Sequence, residues 1–376
     1  MTIAAPPRTD WIEVARELGP RFAARASAHD RDDRFVDENY AELRRQRVFS
    51  AGVPAELGGG GASYRELCEL LRLLAYSCSS TALALAMHTH TLANAVWRWR
   101  HAGAPLEPFL RRVAGEELVL VTSGGSDFLA SSGTAKKVDG GYRVAARKIF
   151  SSGSPGGDVL ITTAVYDDPN EGPTVLHFPI ALSSPGVSVA DNWRALGMRG
   201  TGSNDVLLED VFIPDGSVGA RRPAGRWSPL MFVVYSIAFP LVYCVYLGVA
   251  EAARDIALRE AGRRRDDRNV QALVGEMENE IATARMAVRH MIDAADSDRL
   301  GPEAANAVII GRTLAGHAAI RATEKAVEIA GGSAFYRSLG LERLFRDIQA
   351  ARFHPLQEKP QTIFTGRLAL GLDPDG

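Results

Sequence analysis

The feature that most limits what this chain can fold into is a double change of hydrophobic rhythm. From Asp10 to about Arg112, apolar residues recur three and four apart (Trp11, Val14, Ala15 and Leu18, then Tyr40, Leu43 and Val48), the period of an amphipathic helix. Near Glu117 the period becomes two. Leu118–Thr122, Thr134–Val138, Tyr142–Ile149, Val159–Ala164, Thr174–Pro179 and Val206–Ile213 read as strands between Gly, Asp and Pro turns. Asp139-Gly140-Gly141 between two such runs predicts a hairpin. After Gly225 the helical rhythm returns and holds to the end. Short strands with no helices between them predict a compact antiparallel barrel or sandwich, so the fold class is α+β. The expected units are an N-terminal α-helical domain over residues 1–117, a middle β-barrel domain over 118–222 and a C-terminal helical bundle over 223–376.

One run needs a membrane test, because no charged residue lies between Arg226 and Glu251. That length could span a bilayer, but Pro240 near its middle and three tyrosines favour a core helix of a large bundle. A net charge of -2 argues against a nucleic-acid surface or a polybasic membrane patch. Cys68, Cys78 and Cys244 show no metal-ligand spacing and read as buried thiols in a reducing compartment. His88 and His90, two apart on a helix, point to different faces and cannot chelate one metal together, so no metal site is expected. Ser63, after the glycine run 58–61, is placed to cap the next helix. No basic region followed by an apolar run opens the chain, so the cytoplasm is the expected location.

Four stretches carry the chemistry. Thr122-Ser123-Gly124-Gly125-Ser126-Asp127 offers small residues and hydroxyls after a strand. Lys148-Ile149-Phe150-Ser151-Ser152-Gly153 places an aromatic beside two serines. Gly197-Met198-Arg199-Gly200-Thr201-Gly202-Ser203 precedes a strand ending at Pro214. Last, Ala326–Arg367 joins a helix, a Gly331-Gly332 turn and a second helix whose Leu341, Leu344, Phe345 and Ile348 follow helical spacing.

In this order these stretches resemble the acyl-CoA dehydrogenase superfamily over essentially the full length. They match its "TEPGxGSD" flavin loop (shortened by two residues and lacking the proline), its "KxWITNG" segment, its "G.RGTGS…V.FEDVFVP" signature and its "LER..RD" helix. The resemblance implies an N-terminal helical domain, a β-barrel and a C-terminal four-helix bundle forming a homodimer or homotetramer. It implies FAD, with FMN or a reduced flavin as alternatives. The flavin would be held by Thr122, Gly125, Ser126 and Ser152, with Phe150 in place of the tryptophan that packs on the ring. Arg264 would bind the pyrophosphate of a flavin in a neighbouring subunit, with Glu328 near the adenosine and Gly331 and Gly332 in the family's turn. Arg199 and Ser203 would lie at the substrate mouth.

The sequence departs from the family at the reaction. The two positions that supply a catalytic carboxylate are Pro355, eight residues after Asp347, and Ala238, ten before Gly248. A substrate-holding arginine would fall at Phe239. His354 is the natural replacement, as in the flavin-dependent monooxygenases of the same fold, which take reduced flavin from a reductase and oxygenate sulfur, nitrogen or aromatic carbon. Three readings follow from the resemblance. The first is α,β-dehydrogenation of an acyl thioester, bound to coenzyme A or a carrier protein, with electron-transfer flavoprotein as a partner. The second is a two-component reduced-flavin monooxygenase using His354 and a flavin reductase. The third is a non-catalytic subunit of a heteromeric dehydrogenase.

Overall fold

The computed structural model describes residues 9–123 and 127–376. Helices α1 (Trp11–Arg31), α2 (Asp37–Arg45), α3 (Tyr64–Ser77), α4 (Ser79–His101) and α5 (Glu107–Glu116) come first. Their ends follow local chemistry. Asp10 accepts the Ile12 and Glu13 amides at the start of α1, and Ser63 with Glu66 forms a capping box on α3, as the sequence predicts. Then come β1 (Leu120–Thr122), β2 (Thr134–Val138), β3 (Gly141–Lys148), β4 (Val159–Asp168), β5 (Gly172–Ala181), β6 (Val187–Val189), β7 (Val206–Pro214) and β8 (Ala220–Pro223). Helices α6 (Pro229–Ala261), α7 (Arg268–Ala295), α8 (Pro302–Ala330), α9 (Leu341–Ile348) and α10 (Glu358–Ala369) complete the chain. Helical N- and C-terminal parts thus flank a central sheet, the fold expected from the sequence.

The strands form one sheet in the order β6-β7-β3-β2-β4-β5-β8, with β1 also on β4. The β2–β3 hairpin closes through Asp139 and Gly140, where Gly140 takes a left-handed φ of 71°. One expectation is corrected: the sheet is not purely antiparallel. Both β1 and β2 run parallel to β4, β1 from Leu120↔Val159 to Thr122↔Ile161 and β2 at Thr134↔Val165 and Ala135↔Tyr166. The chain therefore leaves the edge of β4 after Thr122 and rejoins it at Thr134. Between these two pairings, Ser123 and Ser131 bond the Thr162 and Thr163 hydroxyls of β4 at 2.8 and 2.7 Å.

Helix α6 passes by length and composition for a membrane span, yet 89% of its most apolar window is buried in the protein. It packs against α3, α4, α7 and α8, which accounts for its apolar run without lipid. Gly248 permits the closest of these approaches, since a Cβ there would lie 2.2 Å from the Arg72 carbonyl. Helix α9 is a junction. The buried Asp347 carboxylate accepts the Met198 amide and the Ser79 hydroxyl, joining the loop before β7, the start of α4 and α9. Its neighbour Arg346 forms a two-pronged ion pair with Asp30 of α1 at 2.6 and 2.9 Å.

Candidate active site

The loop between β1 and β2 is fixed by a buried ion pair. Lys148, with no exposed side-chain surface, donates to Asp127 Oδ2 at 2.7 Å and to the Ser132 carbonyl at 2.6 Å. Asp127 also accepts the Ser123 hydroxyl at 2.5 Å, and the Ser132 amide and hydroxyl at 2.9 and 2.6 Å. Burial pulls the Lys148 ammonium below its ordinary pKa, while Asp127 pulls it back up. The Lys of one motif and the Asp of the other are therefore two halves of one clamp. Thr122 ends β1 half-buried at the loop's edge. Gly125 and Ser126 lie outside the described residues.

Beyond Lys148 the chain turns sharply. Phe150 takes φ 56°, which a phenylalanine rarely adopts, and stays half-exposed, with Trp193 edge-on at 5.9 Å between ring centres. Trp193 is held by its amide on Asn204 Oδ1 at 2.8 Å and its indole N–H on the Met198 carbonyl at 3.1 Å. An open aromatic face beside a polar edge fits a flat heteroaromatic ring.

Two motifs far apart in sequence meet here. Ser152 Oγ lies 2.8 Å from Ser203 Oγ, which lies 2.6 Å from Thr201 Oγ1. Thr201 in turn donates to the Met198 carbonyl at 2.8 Å. That last bond orients the chain of hydroxyls: with the Thr201 proton committed, Ser203 donates to Thr201 and Ser152 donates to Ser203. Ser152 is left with lone pairs facing outward, an acceptor rather than a donor. Arg199 takes part in no such cluster, because its guanidinium pairs with Asp33 at 2.6 Å and ties the loop to the residues between α1 and α2.

A further cluster surrounds His354. Its Nε2 lies 2.5 Å from the hydroxyl of the fully buried Tyr246, one of the tyrosines of α6. Arg312 of α8 donates to the His354 carbonyl at 2.6 Å and to the Ala351 and Arg352 carbonyls at 3.3 Å, and it sits over the Tyr243 ring. Arg312 is buried and has no carboxylate partner among the described residues. Burial, then the Arg312 charge and His90, push the His354 imidazole down to about 3, so the ring is neutral at pH 7. Glu358, at the start of α10, pairs with His317 at 3.2 Å.

The sequence reads His88 and His90 as pocket-lining or hydrogen-bonding residues on different helix faces, and the structure separates their roles. His88 is structural, accepting the Leu120 amide at 3.0 Å and bonding the Phe49 carbonyl at 2.7 Å. His90 faces the other way, its buried Nδ1 has no hydrogen-bond partner among the described residues, and burial followed by the His88 charge lowers it to about 4. It lies within electrostatic reach of His354. The two-residue spacing of the histidines gave the different faces; only the fold gives the meeting with His354.

A separate cluster gathers Arg264, Gly331, Gly332 and Glu328. Arg264 donates to the Ile329 carbonyl, and Gly331 takes a left-handed φ of 62° just beyond it. Glu328, however, pairs with Lys325 at 2.9 Å. At about 1.5 Å per residue of helix, this end of α6 stands roughly 20 Å from Tyr246, so one flavin ring cannot touch both clusters of the same chain.

Helical N- and C-terminal parts around a central sheet, carrying these stretches in this order, have the architecture of a flavin-dependent oxidoreductase. The chain belongs to the acyl-CoA dehydrogenase superfamily. The superfamily's N-terminal, middle and C-terminal domain profiles match residues 12–101, 122–211 and 242–358. Amino sugar nitrososynthase RubN8 of Streptomyces rubradiris is 29% identical over 99% of this chain and 92% of its own. Cyclohex-1-ene-1-carbonyl-CoA dehydrogenase of Geobacter metallireducens is 27% identical over 95% of each. KijD3, solved with FMN and dTDP-3-amino-2,3,6-trideoxy-4-keto-3-methyl-D-glucose, superposes with a TM-score of 0.89 at 27% identity, covering 98% of this chain and 96% of its own.

Proposed function

We propose that this protein is a monooxygenase that receives reduced flavin from a separate flavin reductase and oxygenates a small molecule bearing an amine. The observation that carries the reading is the set of groups around His354. Where thioester dehydrogenation needs a base able to remove an α-proton, the chain offers Ala238, Pro355 and an imidazole whose basicity burial and Arg312 suppress. Ser152 adds support, because an outward acceptor suits a ring N–H, which reduced flavin carries at its central nitrogen and oxidised flavin lacks. The nitrososynthase and KijD3 likenesses support an amine substrate and FMN.

Bound reduced flavin would supply the electrons that activate dioxygen. The chain's part is to bind and orient. Thr122, Gly125, Ser126 and Ser152 would hold the ring's polar edge and Phe150 its face, while α6 and α4 exclude water around His354 and His90. Ser203 would fix Ser152, and Arg199 would hold the substrate-side loop on Asp33 rather than touch substrate. Arg264, Glu328, Gly331 and Gly332 would then serve a flavin tail across the interface of a homodimer or homotetramer, in the cytoplasm.

A second reading, dehydrogenation of an acyl thioester with FAD and electron-transfer flavoprotein, is favoured by the 27% identity to the cyclohexenecarbonyl-CoA enzyme. One experiment separates the two. The purified protein is given reduced FMN and oxygen with a panel of amines, and separately, with oxidised flavin, a panel of acyl-CoA thioesters without oxygen. Oxygenated amine in the first and no bleaching in the second is expected; bleaching of flavin by a thioester overturns the proposal.

A further inference from the structure

We infer that Tyr246 is a positioning residue that fixes the tautomer of His354, so that the ring turns Nδ1–H, not a lone pair, toward the substrate cavity. The argument starts from hydrogen-bond directions. Tyr246 Oη has His354 Nε2 as its one hydrogen-bond partner among the described residues. Either the phenol donates to Nε2 or Nε2–H donates to the phenol. The second arrangement leaves the phenol proton with no acceptor in a fully buried place, which is strongly disfavoured. So the phenol donates, Nε2 accepts, and the single proton of the neutral ring sits on Nδ1.

The surroundings keep this choice firm. The charged and titratable groups facing the ring are Arg312 of α8, His90 of α4, and Tyr243 and Tyr246 of α6, with Asp347 of α9 acting on Tyr246. Arg312 and His90 both oppose a second proton on the ring, and burial keeps Tyr246 a phenol by raising it well above its ordinary range. The backbone cannot swing the ring away easily, because Arg312 holds the His354 carbonyl at 2.6 Å and Tyr243 holds the Ala351 carbonyl at 2.7 Å. Nδ1 itself has no partner among the described residues, and His354 is only half-buried, so that edge of the ring is open to a bound molecule.

The consequence is a role for His354. A neutral imidazole with Nδ1–H outward cannot take a proton there, but it can donate a hydrogen bond to an oxygen that gains negative charge, without giving its proton up. This rests on the proposed reading that His354 faces the reacting atoms. It is incompatible with His354 acting as the base of a dehydrogenase through that nitrogen.

The test reads the tautomer directly. Protein labelled with 15N-histidine is examined by NMR, the His354 signal being the one lost in His354→Ala. Wild type should show Nδ1–H with Nε2 unprotonated, and Tyr246→Phe should shift the ring largely to the Nε2–H form. In amine oxygenation Tyr246→Phe should lower kcat about tenfold with little change in KM, the effect of one lost neutral hydrogen bond. An Nε2–H signal in wild type overturns the inference even if the variant does not fold. An unshifted tautomer in a folded Tyr246→Phe, judged by circular dichroism, also overturns it. If His354→Ala oxygenates at the wild-type rate, the placement of His354 fails instead, and the tautomer result stands on its own.

Discussion

Removing the Lys148 ammonium should loosen the packing of β2, β3 and β4 far more than the lost bonds alone suggest. Lys148 and Asp127 have side chains 0% and 4% exposed, so Lys148→Met strands a carboxylate in the interior. Breaking one partner of such a pair costs about 3–5 kcal/mol. Asp127 keeps its bonds from Ser123 and Ser132, which places the expected loss at the lower end, about 3 kcal/mol. Asp127→Asn alone strands the ammonium and should cost a similar ~3 kcal/mol. The double variant removes both charges and keeps the shape of the amide, so it should lose only about 1–2 kcal/mol, giving a coupling of roughly 4–5 kcal/mol. Hydrogen–deuterium exchange on peptides from β2, β3 and β4 measures this locally. At a factor of ten per ~1.4 kcal/mol, each single variant should exchange on the order of a hundredfold faster. Single variants within about threefold of wild type, or a double variant matching the sum of the singles, would refute the reasoning.

Four further outcomes follow. His88 and His90 are held down to about 4, and His177 and His354 to about 3, all chiefly by burial, from an ordinary 6.5. Each is neutral when folded and takes a proton when unfolded below 6.5, so stability should fall as pH drops from 6.5 toward 4, by up to about 1.4 kcal/mol per unit for each group; a melting temperature constant across that window would contradict this. Gly248→Ala sets a Cβ 2.2 Å from the Arg72 carbonyl and 2.9 Å from Ala75 Cβ, and should destabilise by about 2–3 kcal/mol in urea unfolding; a neutral result would mean α3 and α6 part freely. Arg312→Met should raise the His354 pKa in an NMR titration yet leave it below 6.5, because burial is the larger cause. Thr201→Val removes the donor that orients the hydroxyl chain and should abolish any preference of the protein for binding reduced over oxidised FMN; an unchanged preference would show that Ser152 is oriented by something else.

The periodicity reading placed six strands because their apolar residues alternate. It missed β6 (Val187–Val189) and β8 (Ala220–Pro223), which are three and four residues long, the latter ending in proline and carrying two arginines. Strand β1 is as short but continues an apolar run, Leu118–Val121, whereas β6 alternates with a serine and β8 carries two arginines and a proline, so neither shows an apolar run to read. Ser152 and Ser203 were legible as site residues, and the structure brings them together. Their shared direction was not, since it is decided by the Met198 carbonyl. The tyrosines of α6 spoke for a core helix; which groups their hydroxyls meet, Ala351 for Tyr243 and His354 for Tyr246, is set only by the fold. Arg199 was expected at the substrate mouth; its ion-pair partner Asp33, 166 residues away, lay beyond any local pattern.

The Asp347 junction also sets how the protein can move. Residues 79, 198 and 347 come from the first helical part, the sheet and the last helical part, yet one carboxylate is a shared latch for all three. The Gly197–Ser203 loop therefore cannot act as an independent gate, because lifting it strands a buried carboxylate that also anchors α4. Slow breathing at this corner must be concerted. Amides near Ser79, Met198 and Asp347 should exchange at a common rate, as one cooperative unit that spans the whole length of the chain.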